Sequence, residues 1–198
     1  MRIGILGCGR LGGTLGTAWS AMGHEIVYGA RDPRDPRLDT LRVDTPYART
    51  ATLQDAKDAA EVVVIAVPGA VADEVVAEVG PWDGKILLDA SNDTRPDGTS
   101  VAEALQRAAR GARVVKAFNV VGVEALRRAA AGEATGTMPI AGNEDDAVAV
   151  ASRLAADLGL TPLHVGGLAM AASLERLAGV WTTWSRTLGR HFLWDVVT

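Results

Sequence analysis

The chain has 198 residues, enough for one domain with a short appendage and too few for a second full domain. Its 20 Lys and Arg against 24 Asp and Glu leave a net charge of −4, which argues against nucleic acid or an anionic membrane as partner and points to small molecules. At 48% hydrophobic and 22% charged residues the chain reads as globular. The single Cys8 excludes an intrachain disulfide or a multi-cysteine metal site, and no apolar stretch of about 18 residues occurs, so a cytoplasmic protein is expected.

The first apolar run, Arg2–Leu6, leads into Gly7-Cys8-Gly9-Arg10-Leu11-Gly12, and Leu11, Leu15, Ala18, Trp19 and Met22 then recur at helical spacing. Further runs at 25–30, 61–67, 85–89 and 113–117 read as buried parallel strands, with Val101, Leu105 and Ala108 marking a helix before the last. A sixth run at 137–141 precedes a helix that Asn143, with Asp146 three residues on, is expected to cap; its buried face is Ala147, Ala151, Leu154, Ala155 and Leu158. A seventh run, 160–165, ends at Gly166-Gly167. The polar stretches 31–52 and 92–100 read as loops. Beyond them Leu174, Leu177, Trp181, Trp184 and Leu188 form a helical stripe, expected to be buried against the core, at a dimer interface or as a wall of the substrate site. Strand and helix in alternation predict an α/β fold: a Rossmann-type, doubly wound, mostly parallel sheet over residues 1–165, followed by a C-terminal helical segment over 166–198.

The glycine motif has the context that gives it meaning, directly after a strand and opening a helix. Gly7 permits the tight turn, Gly9 lets backbone approach a pyrophosphate, and Gly12 lets helix pack on strand. Arg10 and Leu11 sit in the same turn, whose free N–H groups receive phosphate. At the end of the second strand the chain reads Ala30-Arg31-Asp32-Pro33-Arg34. Arg31 and Arg34 suit the 2′-phosphate of NADP, and small Ala30 leaves it room. Asp32 stands where an NAD site would place a carboxylate, which leaves NAD open as well.

Three later strand ends share the carboxyl edge where a nicotinamide would lie: Val67-Pro68, Ser91-Asn92 and Asn119. Asn119 and Lys116 are the candidate catalytic residues, Lys116 as proton donor or as a structural lysine, and Ser91 and Asn119 are candidate hydrogen-bond partners of the cofactor. His24, His164 and His191 lack metal-ligand spacing, so no metal is expected, and no nucleophile elbow occurs. So thin a set of acid and base groups suits hydride transfer between two redox cofactors, which needs chiefly orientation.

The stretches Ile3-Gly4-Ile5-Leu6-Gly7-x-Gly9-x-Leu11-Gly12, Gly23-His24-Glu25-Ile26-Val27, Gly29-Ala30-Arg31 and Val115-Lys116-Ala117-Phe118-Asn119 stand beside the later Gly166-Gly167-Leu168-Ala169 and Leu174-Glu175. Together they resemble the NADP oxidoreductases that depend on the deazaflavin coenzyme F420, and the cytoplasmic domain of the related membrane ferric reductases. The resemblance implies NADP as cofactor, coenzyme F420 as co-substrate, direct hydride transfer between stacked rings, a C-terminal part that completes the acceptor pocket, and a homodimer. It places the pyrophosphate on the segment from Gly9 to Gly12, the 2′-phosphate on Arg31 and Arg34, and the rings between Pro68 and the Asn119 turn. Ala30 departs from the family, which often has serine or threonine there, and removes one phosphate hydrogen bond. Two other functions fit the residues: an NADPH-dependent reductase of a small imine or dehydroamino acid, and a non-catalytic NADP-binding sensor.

Overall fold

The computed structural model describes every residue except Pro46, Thr94, Pro96 and Thr198. In chain order the elements are β1 (Arg2–Leu6), α1 (Arg10–Ala21), β2 (Glu25–Gly29), α2 (Asp39–Asp44), β3 (Arg49–Ala51), α3 (Leu53–Ala59), β4 (Val62–Ile65) and α4 (Ala72–Glu78). There follow β5 (Ile86–Asp89), α5 (Val101–Ala108), β6 (Arg113–Lys116), α6 (Val123–Ala130), β7 (Thr137–Gly142), α7 (Asp145–Ala156), β8 (Thr161–Gly166) and α8 (Ala171–Leu188). The strands form one sheet in the order β3-β2-β1-β4-β5-β6-β7-β8, parallel except where β7 runs against β6. This is the Rossmann-type doubly wound fold expected from the sequence. The chain reverses its direction of winding between β1 and β4, and the register aligns Leu6 with both Gly29 and Ile65, and Asp89 with Lys116. The carboxyl ends of five strands therefore finish at one level, the place where ligands gather in such sheets.

Successive strand residues face opposite sides, so a strand covered on both faces must be apolar throughout. Val62 and Val64 join Ile3, Ile5, Leu15, Trp19 and Leu154 on one face, while Val63 and Ile65 join Leu6, Val76, Trp82 and Leu105 on the other. Trp19 ties the first face together: its Nε1 donates to the Leu154 carbonyl at 3.0 Å, and its ring meets Phe118 edge-on at 5.4 Å.

Three local expectations change. The stretch 31–52 is not all loop but contains α2 and the three-residue β3, whose polar sequence carries no apolar period; its Pro46, like Thr94 and Pro96 of the stretch 92–100, lies outside the described residues. Asn143 does not cap α7; the residue before that helix is Glu144, and the Asn143 side chain accepts from the Leu168 N–H at 2.9 Å, fastening the start of the C-terminal segment. The stripe on α8 is buried only over its first half: Leu174 and Trp181 are 5% exposed, but Trp184 and Leu188 are 50% and 55% exposed.

Candidate active site

The three motif glycines are needed for three different reasons. Gly7 has φ +114°, in the left-handed region, and a Cβ there would lie 2.5 Å from the Ala66 carbonyl oxygen. A Cβ on Gly12 would lie 2.0 Å from the Gly7 oxygen, so only glycine lets α1 start against β1. A Cβ on Gly9 would meet nothing within 4 Å. Gly9 is also the residue before α1, and no side chain caps that helix. The N–H groups of the first turn thus remain available, with the positive end of the helix dipole, to an anion placed over Gly9.

That opening is one end of a cavity of about 790 Å³, walled by Gly7, Cys8 and Gly9, by residues 29–32 at the end of β2, by Asp35, Arg37, Leu38 and Leu53, and by Val67, Pro68, Val71, Glu74, Val75 and Glu78 across from them. Of the expected cofactor residues it brings together Gly7, Gly9, Ala30, Arg31, Val67 and Pro68. Arg31 is exposed on the wall and makes no ion pair among the described residues. Asp32 is engaged in the turn itself, its Oδ1 accepting from the Arg34 N–H at 2.9 Å. Arg34 does not line the cavity; Arg37 does. Asp35 accepts from the Arg37 backbone N–H at 2.9 Å and from its Nε at 2.8 Å, and a further bond from Arg37 Nη2 makes the pair bidentate. The Arg37 guanidinium holds the Asp35 carboxyl down at about 2. Sequence reasoning missed Arg37; the available signal was Asp35-Pro36, a capping residue before proline, which sets a single turn of 3-10 helix over Pro36–Leu38 and swings Arg37 onto the wall.

Arg10 lies at the start of α1 and is paired with Glu124 of α6 at 2.6 Å; like Leu11 and the buried Gly12 it is outside the cavity lining. Cys8 lines the cavity, yet burial pushes its thiol up to about 11 and its Sγ rests 3.4 Å from the Gly29 carbonyl oxygen, the environment of an inert thiol.

At the carboxyl ends of β5 and β6 the candidate residues are held by hydrogen bonds. Lys116 is fully buried and donates to Asp89 Oδ2 at 2.8 Å, to the Ser91 carbonyl at 2.6 Å and to Glu175 Oε1 at 2.7 Å. Its three N–H bonds are all committed, and it does not line the cavity. Asp89 Oδ1 in turn accepts from the N–H and hydroxyl of Ser91 at 2.9 and 2.5 Å. Glu175 also accepts from the Val101 N–H at the start of α5, and burial pushes its carboxyl up despite Lys116. The amides of Asn92 and Asn119 pair: Asn119 Nδ2 donates to Asn92 Oδ1 at 2.9 Å, and Asn92 Nδ2 donates to the Asn119 carbonyl at 2.8 Å. Among the described residues Asn119 Oδ1 is left buried without a partner, and the preceding Phe118 is held at φ +63°. Glu175 was quoted in the sequence only as part of a resemblance; nothing local marks it as the partner of a lysine 59 residues away.

An open glycine cradle at a helix N-terminus, set at the switch point of a doubly wound sheet and continuous with two arginines, fits a dinucleotide with a 2′-phosphate; the class is that of NADP-dependent oxidoreductases. Residues 2–93 match the family described as NADP oxidoreductase, coenzyme F420-dependent, and the resemblance read from the sequence is borne out. Over the whole chain the fold is similar to a candidate F420-dependent NADP-reductase from Arthrobacter sp., with 28% identity, complete coverage of both chains and a TM-score of 0.88. Metalloreductase STEAP3 of Rattus norvegicus is 31% identical over 182 residues; the match takes in 89% of this chain, which spans 36% of that relative's length. The fold is also that of a reductive aminase from Aspergillus terreus, at 22% identity and a TM-score of 0.68, over 95% of this chain and 62% of that one. No helix among the described residues is long and apolar enough to cross a membrane.

Proposed function

We propose that the chain moves hydride between NADP(H) and a deazaflavin, coenzyme F420, or a flavin-type acceptor. The observation that carries this reading is the continuity of the Gly9 cradle with the cavity wall that holds Arg31 and Arg37, joined to the full-length likeness to the Arthrobacter protein. The nicotinamide, when bound, supplies or takes up the hydride. The protein's own part is placement. The first turn of α1 holds the pyrophosphate, Arg31 and Arg37 hold the 2′-phosphate, and Pro68 with the Asn92–Asn119 pair borders the rings. We assign Lys116 no proton transfer, because its ammonium is enclosed by Asp89, Glu175 and Ser91. Among the described residues His24 is engaged with Asp157 and His164 with the Gly142 carbonyl, and no histidine lines the cavity. A reaction that needs orientation rather than acid or base groups suits such a site.

The test is anaerobic mixing of the protein with NADPH and oxidised coenzyme F420 while the deazaflavin absorbance is followed. Rapid bleaching is expected. No bleaching in the presence of tight NADPH binding would refute the acceptor and leave the cofactor. The reading includes the homodimer that the family resemblance implies, and sedimentation at micromolar concentration distinguishes one copy from two.

A further inference from the structure

The cavity has a wall that phosphate binding does not explain. On α4, Glu74, Val75 and Glu78 face it, and both carboxylates are exposed at its rim. Like charges four residues apart work against a short helix, and Glu78, the last residue of α4, sits at the end where the helix dipole disfavours an anion. Among the described residues neither carboxylate has an ion-pair partner. Between these acids and the arginine turn opposite, the walls are aliphatic: Leu38 and Leu53 on one side, Val71 and Val75 on the other. A slot of that kind takes a flat, apolar ring face. Carboxylates at its mouth accept hydrogen bonds and repel carbonyl oxygens.

We propose that Glu74 and Glu78 select the base of the dinucleotide by accepting from the exocyclic amino group of adenine. The inference rests on the reading of this cavity as the NADP(H) site and adds to it which heterocycle is recognised and by what. Adenine presents an amino donor at the position where hypoxanthine and guanine present a carbonyl oxygen, so carboxylates there favour the first and disfavour the others. Both acids also lie near a polyanionic ligand, which weakens binding of every dinucleotide alike. The ratio of affinities for two bases therefore isolates the contact, where a single dissociation constant does not.

The experiment compares NADPH with its deamino analogue, which carries hypoxanthine in place of adenine, by the nicotinamide fluorescence of each on titration into the intact protein. The parent is expected to bind NADPH about fivefold tighter than the analogue, the effect of one hydrogen bond to a partly solvated carboxylate. In Glu74→Gln/Glu78→Gln, whose amides can accept from one base and donate to the other, the ratio is expected to fall to within about twofold of unity. Because both side chains are exposed, the double variant retains the fold, and circular dichroism verifies it. Equal binding of the two by the parent, or an unchanged ratio in the double variant, overturns the base assignment and leaves the cofactor reading intact. Failure of the parent to bind either one overturns both.

Discussion

Replacing Arg31 with alanine should separate NADP from NAD. A phosphate monoester carries about −1.5 to −2 charges at neutral pH. At about 4 Å in water each unit pair is worth about 1 kcal/mol, and a Debye length of about 8 Å at physiological salt reduces the sum to roughly 1–1.2 kcal/mol. The hydrogen bond from an exposed guanidinium adds a few tenths, for a total of about 1.4 kcal/mol, or tenfold in dissociation constant. Arg31 is the cation to change first because it is free of ion pairs among the described residues, whereas Arg37 must share its guanidinium with Asp35. Arg37→Ala should therefore cost less than Arg31→Ala. The assay is calorimetric titration of NADP and NAD into parent and variant at two salt concentrations. NADP should weaken about tenfold and NAD less than twofold, and the difference should shrink toward 1 M salt, where the Debye length is about 3 Å. Equal losses for both cofactors, or a loss indifferent to salt, would refute the 2′-phosphate assignment.

Two further outcomes follow from the packing. Gly12→Ala places a methyl 2.0 Å from the Gly7 carbonyl oxygen, a backbone contact that cannot swing away; about 1–3 kcal/mol of stability should go, with NADP affinity falling as the cradle distorts. An unchanged melting temperature would contradict that geometry. Glu175 gives a pH signature. Burial raises its carboxyl above the ordinary value near 4.3, so the folded chain keeps that proton to higher pH than the unfolded chain. The cost of the buried carboxylate is absent below the unfolded value and grows as pH rises through the folded one. Glu175→Gln keeps an acceptor for Lys116 and Val101, so its melting temperature should gain on the parent's as pH rises above about 4.3. A difference constant with pH would refute the assignment.

Much of the fold was legible because burial on both faces forces continuous apolar runs, and β1, β2, β4, β5 and β6 are such runs. The glycine motif was legible for a similar reason, since backbone geometry leaves few residues able to stand at positions 7 and 12. What escaped was set by contacts distant in sequence or by turns too short for a period. Arg37 reaches the cavity through one turn pinned by Asp35, while Arg34, nearer the strand and so the obvious candidate, does not. Lys116 looked like a catalyst because a lysine at a strand end is conspicuous; its enclosure depends on Asp89 from β5 and Glu175 from α8. The stripe from Leu174 to Leu188 keeps helical spacing throughout, but its first half packs beside Val120 and Ala141, whereas Trp184 rests against Trp194 of the C-terminal tail at 5.5 Å and stays half exposed.

The rims of the sheet bear on how copies of this molecule can meet. At one rim β3 is three residues long and begins with Arg49. At the other, Thr161 turns its N–H inward to the Gly136 carbonyl, so the next residue along the strand turns its nitrogen outward. That residue is Pro162, which has no N–H to offer. A brief, charged rim and a rim missing an outward donor both resist the addition of a foreign strand. Open sheets of this length are at risk of joining edge to edge into fibres, and here that route is blunted at each end by a single inexpensive residue choice.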